Sequence, residues 1–124
     1  MRCERKDSAV EAVERNKIFY IYGAQVVAYG AYVAIRELCG RKPEAFLVSS
    51  LERNPVEMDG VPVKTPERIS RDALVIVAVT ELLQGEIVAF LEGLGHTNVF
   101  ILTQTEEHRL MAAYFARIGK FPLA

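Results

Sequence analysis

Gly23, Gln25 and Ala28 stand where a dinucleotide-binding turn would keep three glycines. In the pattern G-x-G-x-x-G the first glycine makes the turn. The second lets the backbone touch a pyrophosphate, and the third permits close helix–strand packing. Residues 17–35, KIFYIYGAQVVAYGAYVAI, run from an apolar strand through Gly23 straight into a helix pattern, as such a unit opens. The turn glycine is present and Ala28 is small enough for close packing, but Gln25 puts a long polar side chain at the phosphate position. Two readings stay open. In one, the amides of Ala24, Gln25 and Val26 bind an anion, helped by the helix dipole. In the other, Gly23 is only a tight turn and Gln25 caps the helix start.

Open α/β sheets bind ligands beyond the carboxyl ends of their strands. The residues expected there are Tyr22, Gly23, Ser49, Ser50, Thr80, Glu81, Thr103 and Gln104. The set is rich in hydroxyls and amides and has no acid–base pair, so no catalytic residue is assigned. The ligand-binding candidates are Gly23, Ala24, Gln25, Ser49, Ser50, Thr80 and Glu81, while Thr80 and Thr103 also read as helix caps. NAD binders place Asp or Glu at the end of the second strand to hold the ribose hydroxyls. Here that end is Phe46–Ser50, with no acid before Glu52, which disfavours NAD and leaves the cofactor unidentified. Arg53 beyond it either favours a phosphate or is a solvated loop arginine. His96, in the turn Gly95–Asn98, reads as an exposed loop histidine. His108, beside Glu106 and Glu107, reads as part of a solvated helix start, because no second histidine stands at ligand spacing. No Walker loop, G-x-S-x-G or H-E-x-x-H occurs. A receiver-type phosphorylation domain is disfavoured because no carboxylate stands near Val79.

Regular elements must hold these residues in place. Ser8 to Glu11 fits a capping box, so a short leading helix is expected over Asp7–Arg15, with Asn16 ending it in a left-handed conformation. Ile18–Tyr22 is the first strand, Ala24–Cys39 a helix stopped by Gly40, and Ala45–Val48 the second strand. Ser49–Val63 reads as a loop with turn signals at Asn54-Pro55 and Asp59-Gly60. Pro66–Ser70 is a short helix. Ala73–Val79, ALVIVAV, suits a parallel strand buried on both faces. Glu81–Glu92 is a helix ended by Gly93 and Gly95, Val99–Leu102 the fourth strand, and Thr103 to Glu106 a second capping box opening a helix to about Ile118. Alternating strands and helices give an α/β fold, a half-Rossmann three-layer sandwich of about four parallel strands in the order 3-2-1-4. Residues 1–16 form a leading helix or arm and 17–124 a single Rossmann-like domain.

Two of the helices read as too apolar for a free-standing domain. From Ala24 to Ile35 the only strongly polar side chain is Gln25, and Leu110–Ala116 repeats the pattern. A helix apolar all round is normally covered all round. The expected interface residues are Val26, Tyr29, Tyr32, Val33, Met111, Tyr114 and Phe115. The expected partner is a second copy, forming a homodimer, or a following catalytic domain. The ending GKFPLA, coming straight after a helix, fits a fragment of a longer chain.

The bulk properties narrow the classes further. The chain of 124 residues suits one domain that buries roughly two thirds of its unfolded surface. Net charge is −1 with no evident basic face, which speaks against nucleic acid as a partner. No run of about 18 apolar residues occurs, so no membrane span is expected. The charged start lacks the apolar stretch of a signal peptide, and Cys3 and Cys39 form no ligand-spaced cluster. Both features point to a reducing cytoplasm.

The succession KIFYIYGA, AFLVSS, NPVEMDGVPVKTPERI and DALVIVAVTELLQGEIVAFLEGLGHTNVFIL covers about Lys17–Leu102. It resembles the small Rossmann-like domain that precedes the catalytic part of bacterial sugar-modifying enzymes. Those include sugar O-acyltransferases, capsular polysaccharide glycosyltransferases and some sugar methyltransferases. The G-V-P-V step at Gly60–Val63 is the most recognisable sign. It is similar, more distantly, to CoA-binding domains, which share a G-x-P-V step and a D-x-x-V-I-x-x-V strand. The resemblance implies a module without chemistry of its own, which binds a nucleotide-sugar or serves assembly beside a sugar transferase. In the acyltransferase relatives the glycine turn can face nucleotide-sugar; Gly23 carries over and the second glycine does not. A CoA- or nucleotide-binding enzyme domain with a variant glycine loop is the alternative. A dimerising scaffold without ligand is the third possibility.

Overall fold

A computed structural model describes residues 8–119; Cys3 and the ending from Lys120 lie outside the described residues. In chain order the elements are α1 (Ala9–Glu14), β1 (Phe19–Tyr22), α2 (Val26–Cys39), β2 (Phe46–Leu47), β3 (Glu57–Met58) and β4 (Val61–Lys64). There follow a 3₁₀ turn (Pro66–Arg68), β5 (Leu74–Val77), α3 (Glu81–Gly93), β6 (Val99–Ile101) and α4 (Gln104–Arg117). The fold is α/β, as expected. Its sheet has six strands in the order β3-β4-β2-β1-β5-β6, parallel except for the β3–β4 pair.

The expected four-strand order 3-2-1-4 is corrected by this sheet. The four segments read as strands lie in the order second, first, third, fourth. The segment missed is β4, which sits outside β2 with Phe46 opposite Val63. Counting the parallel strands alone along the chain, the order becomes 3-2-1-4-5, with β4 in third place. The signal for β4 was the alternation of Val61 and Val63, both buried, with exposed Pro62 and Lys64. Asp59-Gly60 then forms the two-residue loop of a β3–β4 hairpin. Both residues have positive φ, 53° and 82°, as a type I′ turn demands.

The sheet separates two apolar layers. On one face α1, α2 and α4 pack over Phe19, Ile21, Phe46, Leu74 and Ile76. On the other, α3 covers Tyr20, Tyr22, Leu47, Val75 and Val77. The leading helix belongs to this core, since Ala9, Ala12 and Val13 are buried in it. Its capping box is complete: Glu11 N donates to Ser8 Oγ (3.2 Å) and Ser8 N to Glu11 Oε1 (3.1 Å). Asn16 does not take a left-handed conformation. Its side-chain amide instead bonds Ala12 O at 2.7 Å, closing the helix.

The apolar character of α2 has an internal explanation. The helix packs on the sheet and against its neighbours α1 and α4 on the same face, so much of its surface is covered within the chain. Tyr32, expected at an interface, is fully buried and meets Phe46 edge-on at 5.4 Å. Its hydroxyl donates to Asp59 Oδ2 at 2.5 Å, and Arg36 Nη1 reaches the same oxygen at 2.5 Å. This cluster fastens the β3–β4 hairpin to α2. Val33, Met111, Tyr114 and Phe115 are half-buried; the first three pack against the core, and Tyr114 stacks edgewise on Phe115. Val26 and Tyr29, at 86% and 43% exposure, are the two expected interface residues that face outward.

The hairpin clamp makes a pH prediction. The hydrogen bond from Tyr32, then Arg36, holds the Asp59 carboxyl below its ordinary value. A lowered folded-state value means the contribution is complete above about pH 4, where an unfolded Asp is ionised, and is lost as pH falls further. Asp59→Asn should therefore flatten the acid side of a plot of melting temperature against pH. An unchanged acid limb would mean that the clamp does not couple to folding.

Candidate functional site

The sheet order creates a crevice. From β1 the chain moves outward through β2 to the β3–β4 edge, then returns to β5 on the other side of β1. Loops leaving β1 and β5 thus diverge at their carboxyl ends, which is where open α/β sheets bind ligands. A cavity of about 450 Å³ lies there. Its floor is Tyr22, Gly23 and Ala78; one wall is the α2 start, Ala24–Val27, and the opposite wall is Ser49, Ser50 and Asn54 after β2. Val79, Thr80, Leu83 and Ile87 of the β5–α3 side close it.

Gly23 is required here by packing. Its φ is 130°, and a Cβ added to it would stand 2.6 Å from the backbone oxygen of Ala78 and 3.1 Å from Ala28 Cβ. Gly23 N donates to Leu47 O at 2.8 Å, while Ala78 N donates to Tyr22 O at 3.0 Å. The glycine thus threads between β2 and β5, and Ala28 provides the close helix–strand contact expected of the third small residue.

The α2 start is electrostatically distinct. Gln25 is its N-cap residue, extended and exposed, yet its side chain makes no cap hydrogen bond, so the expected Gln25 cap is absent. The first turn also has no acid. The other three described α-helices are compensated: α1 by Ser8 and Glu11, α3 by Glu81, and α4 by Thr103 with Glu106 and Glu107. The amino end of α2 therefore presents its dipole, roughly half a positive charge, to the cavity without a counter-charge from its own sequence.

The wall after β2 is neutral. The Tyr22 hydroxyl and Ser49 Oγ are hydrogen-bonded to each other. Burial raises the Tyr22 phenol above its ordinary value, so it remains protonated at neutral pH. Ser50 and Asn54 shape the loop: Ser50 Oγ accepts from Glu52 N (3.1 Å), and Asn54 Nδ2 donates to Ser50 O (2.8 Å). Thr80 stands at the N-cap of α3, but its hydroxyl makes no cap bond. Glu81 lies beyond the cavity, in a neighbouring groove with Gln84, Gln104 and Glu107.

Gln84 was not singled out from the sequence. It is buried in α3 and donates to Val79 O (3.2 Å) and Leu102 O (2.9 Å), tying the helix start to the ends of β5 and β6. Its position on a helix face among leucines offered no signal for that role. His96 corrects the expectation of an exposed loop histidine: it is 1% exposed, with Nε2 3.4 Å from Pro66 O. The turn tucks the ring under the Pro66–Arg68 segment, remote in sequence. His108 is exposed at the start of α4, and the described residues contain no group of three metal-ligating side chains. Cys39 packs against the core at the end of α2, and burial pushes its thiol above its ordinary value, with Glu14 adding to the shift. No helix among the described residues is long and apolar enough to cross a membrane. No protein-family model, curated protein or solved structure matches the chain.

Proposed function

We propose that this domain is a non-catalytic Rossmann-like module of a sugar-modifying enzyme, binding a nucleotide-sugar in the crevice above Gly23. The observation that carries the reading is the uncapped, acid-free start of α2 opening on a cavity at the switch point between β1 and β5. An oriented helix start favours an anionic group such as a phosphate. Val26, Val27, Val48, Val79, Leu83 and Ile87 offer apolar wall for a base, and Tyr22, Ser49 and Thr80 offer neutral hydroxyls for sugar oxygens. The sugar-enzyme association rests on the resemblance of residues 17–102. The non-catalytic part of the reading rests on the same resemblance.

The test is thermal shift followed by calorimetry against UDP-sugars, CoA and NAD, on the wild type and on Gln25→Gly. The expected result is stabilisation by a UDP-sugar, strengthened in Gln25→Gly because the backbone can then approach the phosphate. Stabilisation by CoA alone would move the assignment to the CoA-binding alternative. No response to any of them, in either protein, would remove the ligand and leave assembly.

Assembly has its own support. Val26, on the cavity rim, and Leu82, in the first turn of α3, are 86% and 92% exposed. A second copy or a following domain resting on that rim would cover them.

A further inference from the structure

The two edges of the sheet are guarded differently. An open strand edge is a row of unpaired N–H and C=O groups, and proteins commonly block it with charge or proline. The β3 edge has both, in Glu57 and in Pro55 just before the strand. The β6 edge has neither: from Thr97 to Thr103 no residue is charged and none is proline. Val99 and Phe100 are only half-buried there, and Ile101 is 37% exposed.

The edge is also ready to pair. Val75 N donates to Asn98 O at 2.9 Å, and Leu102 N to Val77 O at 3.0 Å. The alternation of the parallel ladder therefore turns the peptide groups of Phe100 toward β5 and those of Val99 and Ile101 outward. Ile101 O accepts from Thr103 N at 2.9 Å and keeps a second lone pair. The other outward groups, Val99 N–H and C=O and Ile101 N–H, have no partner among the described residues.

A groove of about 400 Å³ runs along β6, and its two ends carry opposite charge. Arg15 stands at the amino end of the strand, beside Asn16, whose Oδ1 accepts from Asn98 Nδ2 at 2.9 Å. Glu106 stands at the carboxyl end, after Thr103. Its Oε2 lies 3.4 Å from Arg109 Nη1, but its Oε1 is buried with no hydrogen-bond partner. An unmatched buried carboxylate oxygen is unfavourable and leaves room for a donor.

We infer that β6 pairs with β6 of a second copy, antiparallel about Phe100, and carries the sheet across a two-fold axis. Val99 of each copy then faces Ile101 of the other, and the outward peptide groups meet as hydrogen-bonded pairs. The reversal also lays the amino end of one groove against the carboxyl end of the other. Arg15 of each copy approaches Glu106 of the other and supplies the donor that Oε1 lacks. The occupant is a second copy because the chain carries the complementary charge at the end where the two-fold axis requires it. This surface is separate from the Val26 rim.

Analytical ultracentrifugation at rising concentration tests this, with circular dichroism to confirm that each variant is folded. Wild type should dimerise. Ile101→Lys puts a charge on the open edge and should weaken the dimer at least about tenfold, while Val26→Asp leaves it unchanged. Arg15→Glu and Glu106→Arg should each weaken it similarly, because each alone sets like charges across the axis. Mixed together, the two reversed proteins should recover the wild-type dimer, since both cross-axis pairs become attractive again. A change within one chain could not produce that recovery. If a reversed protein fails to fold, Ile101→Lys decides. A wild type still monomeric at about 0.1 mM would overturn the inference. So would a dimer that survives Ile101→Lys, a dimer lost in Val26→Asp, or folded reversed proteins that associate no better mixed than alone.

Discussion

Gly23→Ala will lower the melting temperature by roughly 10 °C or more, because two independent costs meet at one atom. A φ of 130° is a conformation that alanine adopts only with strain, of order 1–3 kcal/mol. The new Cβ would also stand 2.6 Å from the backbone oxygen of Ala78, a residue just past β5 whose N–H is bonded to Tyr22 O. Backbone cannot swing aside as the end of a long side chain can, so β1 or β5 must shift. Together these give about 3 kcal/mol, and for a chain of this length each kcal/mol is worth roughly 3–5 °C. The measurement is a melt followed by circular dichroism. A drop under about 3 °C would mean that the turn relaxes freely and that the packing argument for Gly23 is wrong.

The second large effect separates core from interface on one helix. Tyr32→Asp should unfold the domain, and Val26→Asp should leave it folded. Tyr32 is fully buried between α2, Phe46 and the hairpin, so the change removes an aromatic ring and leaves an unpaired charge beside Asp59. Loss of a buried ring alone costs about 3–5 kcal/mol, and the uncompensated carboxylate adds to it. That is a large share of the roughly 5–15 kcal/mol that keeps a domain folded. Val26 is 86% exposed, and a surface substitution of this kind changes stability by about 0.5 kcal/mol or less. The pair is read by circular dichroism and light scattering. A folded, monomeric Tyr32→Asp would contradict the burial of Tyr32. A Val26→Asp protein that stays folded but falls from dimer to monomer would support assembly through the rim.

The α/β alternation was legible because each element carries a local signal: the β-branched run of β5, the capping box of α1, Gly40 after α2. The sheet order was not legible, and the reason is one short strand. Val61-Pro62-Val63-Lys64 has a proline and only two apolar residues, so within a turn-rich stretch it reads as loop. Its strand character comes from β2 alongside and from the hairpin that Asp59-Gly60 closes. Tyr32 and His96 were misplaced for a related reason. Their burial depends on Asp59 and Pro66, partners distant in sequence, which no local period reports. At the site, Gly23, Ala24, Gln25, Ser49, Ser50 and Thr80 could be named in advance because strand ends are predictable positions. That they line one cavity with Asn54 depends on the adjacency of β1 and β5, and that adjacency follows from β4. The sequence displayed Gln25 as a damaged glycine position. It did not display that α2 lacks a counter-charge, which emerges only by comparison with the starts of α1, α3 and α4.

The most direct measurement of the central claim is an amide-resolved NMR titration of the protein with a UDP-sugar. The account predicts that shifts concentrate on Gly23, Gln25, Val26, Val27, Ser49, Asn54 and Thr80, around the cavity mouth, while Tyr114, Phe115 and the Asp59 hairpin stay still. A silent spectrum at millimolar ligand, or shifts centred on the α4 surface, would contradict a nucleotide site above Gly23.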